Sequence, residues 1–161
     1  MPKPRASRLT RPQGYWNPRP IPWRWAEDRL IQARNYWVAS IRQNGRPHSR
    51  PVWGVWLDDA FWFDTGSLIG VNLMANPEVT VHLESGDDVV ILEGRAERLM
   101  GHAEGQQFIG PYNKKYRSSQ TEPPGALFRL APKVALGWAS DPTMLDGGAI
   151  SGSTGTRWDF D

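Results

Sequence analysis

Between Tyr36 and Leu99 apolar and polar residues alternate in short runs separated by tight turns, and this period of two constrains the fold more than any other feature of the chain. The runs Tyr36–Arg42, His48–Leu57 and Ala60–Thr65, joined by Gln43-Asn44-Gly45-Arg46-Pro47 and by Asp58-Asp59, read as a β-meander. A loop and short helix within 66–77 separate it from two more strands, Glu78–Glu84 and Val89–Leu99, which flank a Ser-Gly-Asp-Asp turn. Two final strands follow at Ala126–Leu130 and Lys133–Trp138, with Pro132 marking a bend or bulge. The segment 147–155 is expected to be flexible as far as Thr156.

Two segments break the period. In Trp25–Asn35 the residues Trp25, Leu30 and Ala33, with Trp37 beyond, recur near helical spacing, and Glu27 and Asp28 are expected in the first turn, where the helix dipole favours acids. Gly101–Tyr116 also fits a helix, which Gly110-Pro111 should kink or split. Up to Pro22 the chain alternates proline with arginine and polar residues, and is expected to stay loose or wrap the surface. The expected organisation is therefore an arm over 1–22 and one folded domain over 23–161, of mainly β (α+β) class.

Several strands carry large apolar residues on both faces: Val52 and Trp56 against Trp53 and Leu57, and the run Phe61-Trp62-Phe63. The second face must be covered by a helix or by another subunit. With few helices in the chain, a homodimer is the economical expectation. Nine tryptophans in 161 residues suit a core shared between a barrel and a partner chain.

Composition excludes several chemistries. There is no cysteine, so disulfides, thiolate metal ligands and cysteine nucleophiles are ruled out. Nothing approaches the roughly 20 apolar residues that a bilayer-spanning helix needs, and the chain opens without a secretory apolar stretch, so a cytoplasmic protein with no membrane partner is expected. Lys3, Arg5, Arg8, Arg11, Arg19 and Arg24 precede the first acid, Glu27, and read as a solvated arm rather than a nucleic-acid contact.

No Walker loop, GxGxxG after a strand or HExxH is present. The histidines His48, His82 and His102 are dispersed, and His82 reads as a satisfied surface or interface residue, so no metal site is expected. Asp58-Asp59 and Asp87-Asp88 are adjacent residues in turns, where Asp bonds local backbone, and are not read as an acid–base pair. Trp53, Trp56, Trp62 and Trp138 either fill the barrel or stack on a ring; Lys114 and Lys115, with Tyr112 and Tyr116, read as a solvated helix face rather than an anion rim.

The stretch Trp23–Leu99 resembles the pyridoxamine-phosphate-oxidase-like superfamily of flavin and deazaflavin oxidoreductases, of actinobacterial type. The resemblance is carried by Ala39-Ser40, Gly45-Arg46-Pro47-His48, Thr65-Gly66-Ser67, Asn76-Pro77 and Glu93-Gly94 with Ala96, while Thr156–Phe160 is similar to the tail of the deazaflavin-using branch. It implies a homodimeric FMN-binding split β-barrel of six to seven strands with cofactor sites at the subunit interface. Carried over residue by residue, it implies that Arg50, Pro51, Val52 and Trp53 lie along the cofactor ring, and that Thr65, Gly66 and Ser67 grip its phosphate. Asn72 remains at that loop, and Arg157 is a candidate cation from elsewhere. The chain departs from the family in reading Ser67-Leu68-Ile69-Gly70-Val71-Asn72 where arginine, lysine and a further arginine usually stand. The anion is then held by other cations, such as Arg50, Arg157, Lys114, Lys115 or the arm, or the cofactor contacts another part of the cleft, or the site takes an apolar or porphyrin-like ligand.

The resemblance thus implies a flavoprotein oxidoreductase using the deazaflavin coenzyme F420 or FMN on a small organic substrate, with no catalytic acid or base nominated, because the cofactor carries the chemistry. The alternative is a non-catalytic protein that binds flavin, haem or an apolar ligand in the same interfacial cleft.

Overall fold

The computed structural model describes residues 3–9, 20–139 and 154–160; most of the arm, Trp16 and the segment 147–153 expected to be flexible lie outside the described residues. In chain order the elements are β1 (Arg5–Arg8), α1 (Trp23–Gln32), β2 (Tyr36–Ile41), β3 (Pro47–Val52), β4 (Gly54–Leu57), β5 (Ala60–Asp64), α2 (Leu68–Ala75), β6 (Glu78–His82), β7 (Asp88–Leu99), α3 (His102–Tyr116), β8 (Leu127–Ala139) and β9 (Thr156–Asp159).

The strands pair throughout in antiparallel fashion. β3 pairs β2, β2 pairs β6, β6 pairs β7 and β7 pairs β8. The N-terminal part of β8 pairs β5, and β5 pairs β4, which follows β3 after the single residue Trp53. The circuit therefore closes on itself, and this is the expected split β-barrel. It splits where β8 leaves β5: Leu127–Leu130 face β5, whereas Val134–Gly137 face β9, which carries β1 on its far edge. Local chemistry sets the hairpins. Gly45 takes φ 79° in the first, and Asp58 and Asp59 both take positive φ between β4 and β5, as a two-residue primed turn requires.

Five local readings are corrected. The run 48–57 is two strands broken at Trp53, because its first half pairs β2 and its second half pairs β5. The runs around Pro132 are one strand and not two, while the bulge expected at the proline is present as a register shift opposite Glu93/Gly94. α1 begins at Trp23, directly after Pro22, which places Glu27 and Asp28 beyond the first turn. α3 runs unbroken through Pro111. Within the arm Arg5–Arg8, a stretch free of proline, pairs with β9.

The barrel core gathers Trp23, Leu30, Tyr36, Val38, Phe61, Phe63, Leu92, Leu130 and Trp158. A second cluster answers the question of the two-faced strands: Val55, Ala60, Trp62 and Leu127 are covered by Phe108 of α3, with Tyr112 packed against them. A helix, and not another chain, buries the outer face of β4 and β5.

Candidate functional site

The break at Trp53 leaves β3 paired on one edge only among the described residues. Pro47, Ser49, Arg50 and Pro51 are exposed, Val52 is half-buried, and Trp53 is 44% exposed. The resemblance predicts a cofactor ring along this strand, and its free edge offers the main-chain groups that such a ring needs. The break is held from α3. The Tyr116 hydroxyl accepts from the Gly54 N–H at 2.9 Å and lies 2.7 Å from the Arg34 carbonyl and 2.9 Å from that of Gly54, while its ring stacks flat on Trp53 with centroids 4.7 Å apart.

Thr65, Gly66 and Ser67 lead from β5 into α2. The Ser67 hydroxyl caps the helix by accepting from the Ile69 N–H at 3.3 Å and lies 2.7 Å from the Thr65 hydroxyl. This is a helix N-terminus with hydroxyls and open main chain, an arrangement suited to an anion. Asn72 does not point to such a ligand: it is 1% exposed, and its amide donates to the Ser40 hydroxyl at 3.0 Å and lies 3.4 Å from His48 Nδ1, tying α2 to β2 and β3. Of the residues that replace the family's cations, Ile69 is fully buried in the core, whereas Leu68 and Val71, with Met74, are exposed along one side of the helix.

The candidate cations separate clearly. Arg157 lies on β9, apart from β3 in the sheet, with its guanidinium paired to Asp159 at 2.9 Å. Arg50 is exposed on β3 with no ion pair among the described residues. Lys114 is exposed, as a solvated face requires, but Lys115 is not on that face. Its ammonium donates to the Tyr36 hydroxyl at 2.6 Å and to the Gly54 carbonyl at 3.0 Å, and it sits 4.6 Å from the Tyr36 ring centroid and 5.5 Å from that of Tyr116. The Tyr36 hydroxyl donates in turn to the Leu30 carbonyl. Sequence reasoning missed this group because its parts come from three elements; the weak signal was a glycine, Gly54, amid bulky strand residues.

Burial alone pushes the Lys115 ammonium down to about 8. Burial raises Tyr36 well above the ordinary tyrosine value, and chiefly burial pushes Tyr116 up to about 12. From pH 8 to the ordinary lysine value of 10.5 the unfolded chain holds a proton at residue 115 that the folded chain has lost, so stability rises with pH there. Above pH 10 the order reverses, since the unfolded tyrosines ionise while the folded ones keep their protons. The thermal midpoint, followed by circular dichroism, is expected to climb between pH 8 and pH 10 in the wild type relative to Lys115→Met. Parallel profiles for the two proteins would contradict the assignment.

A cavity of about 590 Å³ is lined by Trp23, Arg24, Ile31, Pro132 and Phe160 among others, away from the sequence-predicted residues. β3 itself is open along its second edge among the described residues. No group of His, Asp and Glu suited to a metal occurs among the described residues, His82 bonds the Leu83 carbonyl at 2.8 Å and stacks on Trp37, and no described helix is long and apolar enough to cross a membrane.

The architecture is an antiparallel split barrel with an open strand beside a capped helix. The model of the pyridoxamine 5′-phosphate oxidase family matches residues 26–139, and the chain belongs to that family. Among solved structures, a conserved hypothetical protein of Mycobacterium tuberculosis is 22% identical, with a TM-score of 0.69 over 87% of this chain and 99% of its own. An F420 reductase is 22% identical, with a TM-score of 0.53 over 67% and 94%. A pyridoxamine 5′-phosphate oxidase-related, FMN-binding protein of Nostoc punctiforme is 19% identical, with a TM-score of 0.50 over 74% and 85%. At these identities the likeness is one of fold. A search of curated proteins finds no match to the sequence.

Proposed function

We propose that the protein is a cytoplasmic, homodimeric oxidoreductase that holds deazaflavin or FMN against β3 and acts on a small organic molecule. The observation that carries this reading is the half-paired strand: β3 leaves one edge free, beside a helix whose N-terminus is capped by Ser67. When bound, the cofactor supplies a ring that passes a hydride or electrons. The chain's own groups position it. Val52 and Trp53 give apolar walls, Thr65, Gly66 and Ser67 give hydroxyl and main-chain donors to its anionic end, and Arg50 is a cation on the same strand with no ion pair among the described residues. A second copy of the chain closes the open side, for which the exposed Leu68, Val71 and Met74 of α2 supply an apolar rim.

Calorimetric titration with FMN, the deazaflavin and haem tests the reading. One flavin or deazaflavin per chain is expected, and Arg50→Gln should weaken it about tenfold, as loss of one charge-assisted bond implies. Binding of haem alone would replace this reading by that of a non-catalytic carrier, which the same exposed apolar side of α2 favours. Binding of none of the three would sink both.

A further inference from the structure

We infer that the cavity beside α1 is a second binding site, apart from β3, for an organic cation: an ammonium group carried on an apolar body. Size comes first. At about 590 Å³ the cavity falls within the range of small-molecule sites. α1 lines it with Trp23, Glu27 and Ile31, which follow one another a turn apart along one side of the helix. β8 adds Pro132 at its bulge, and the chain just after β9 adds Phe160. The aromatic part of this wall is fixed. The Phe160 ring meets Trp23 edge-on with centroids 4.9 Å apart, and Trp23 is packed in turn by Trp158 at 5.5 Å and Trp56 at 5.9 Å. Ile31, by contrast, stands 52% exposed. An apolar body seated here removes that bare isoleucine from water.

Charge comes second, and it selects the sign of the ligand. Three carboxylates line the cavity against two cations, Lys3 and Arg24. Arg24 is committed to Asp28, 3.8 Å away, and Asp59 is engaged as well. Glu27 is different: it is half-buried between Trp23 and Ile31 on the helix, and among the described residues its side chain makes no hydrogen bond or ion pair. A carboxylate partly withdrawn from water without a counter-charge is costly, and an ammonium entering with the ligand offsets that cost. Lys3 also lacks an ion pair among the described residues, but it is exposed, so water serves it and no anion is called for. None of the residues assigned to the cofactor lines this cavity, so the inference does not rest on the cofactor reading of β3.

The full chain is titrated by calorimetry at neutral pH with 2-naphthylmethylamine, its uncharged counterpart 2-naphthylmethanol, the anion 2-naphthoate, and methylamine. The aromatic amine is expected to bind ten or more times tighter than the alcohol, and methylamine, which has the charge without the body, should not bind at the same concentrations. Glu27→Gln should weaken the amine about tenfold and leave the alcohol unchanged. Ile31→Lys, at an exposed position one turn from Glu27, supplies an ammonium of the chain's own and should abolish amine binding, whereas Lys3→Gln removes a like charge and should leave the amine bound at least as tightly. Circular dichroism confirms that each variant is folded. Equal binding of amine and alcohol, tighter binding of the naphthoate, or an amine affinity indifferent to Glu27→Gln overturns the inference. Saturating FMN should not change the amine affinity; competition between the two would place the amine at β3 and overturn it as well. Amine binding without flavin binding leaves this site standing and removes the cofactor reading, and flavin binding without amine binding does the reverse.

Discussion

Replacing Trp158 with alanine is expected to cost about 4 kcal/mol of unfolding free energy, the range for deleting a fully buried indole. The ring is 0% exposed, lies edge-on to Trp23 with centroids 5.5 Å apart, and donates from Nε1 to the Ile21 carbonyl at 3.1 Å. The space cannot close, because Gly137 already approaches the ring so closely that a Cβ there would lie 2.9 Å from it and 2.6 Å from the Val89 carbonyl. For a chain of this length the midpoint should fall by roughly 8 to 16 °C. Equilibrium urea unfolding of wild type and variant measures the difference. A loss below about 1 kcal/mol would mean that β9 lies outside the cooperative unit.

Gly54→Ala is expected to cost about 3 kcal/mol, at the upper end for overpacking, although the added group is one methyl. A Cβ at 54 would stand 2.5 Å from the Phe61 ring and 2.5 Å from the Trp62 carbonyl. Neither gives way. The carbonyl belongs to the β4–β5 ladder, and Phe61 is fixed between Tyr36 and Phe63, with centroids 4.3 and 5.1 Å away. The strand must therefore shift, and with it the Gly54 carbonyl that holds Lys115 and the N–H that holds Tyr116. Urea unfolding gives the cost, and Trp53 fluorescence in a background lacking other exposed indoles reports the shift. A variant as stable as the wild type would show that β4 and β5 are not packed as described.

The strands of the barrel were legible because period-two alternation is a local signal, and the hairpins because Asn44-Gly45 and Asp58-Asp59 are turn-forming pairs, although the first closes a three-residue loop with only Gly45 at positive φ and the second alone makes a two-residue primed turn. The division of 47–57 was not legible, since it depends on Tyr116, 62 positions from Gly54, and on which halves find β2 and β5. The same distance hid the role of α3. The aromatic outer face of β5 reads from sequence as a demand for cover, and only the fold shows that Phe108 meets it. In the candidate site, Thr65, Gly66 and Ser67 stand together at a helix start. Arg157 is drawn away by Asp159, two residues along its own strand, and Asn72 is spent on Ser40 and His48. The Lys115 group was hidden because its half-burial comes from a neighbouring strand and not from its own helix.

The unpaired edge of β3 has a polarity of its own. The Arg42–Arg46 bond that closes the hairpin sets the ladder, so Arg46 and the even-numbered residues after it bond β2, while Pro47, Ser49 and Pro51 turn outward. Prolines lack an N–H, so along this rim carbonyls outnumber donors, and Ser49 holds the one amide proton between the two prolines. Such an edge welcomes hydrogen-bond donors on a small molecule, yet it cannot register with a further β-strand, which would need a donor at every second residue. The barrel can thus keep one side open to a ligand without seeding a sheet that grows from copy to copy.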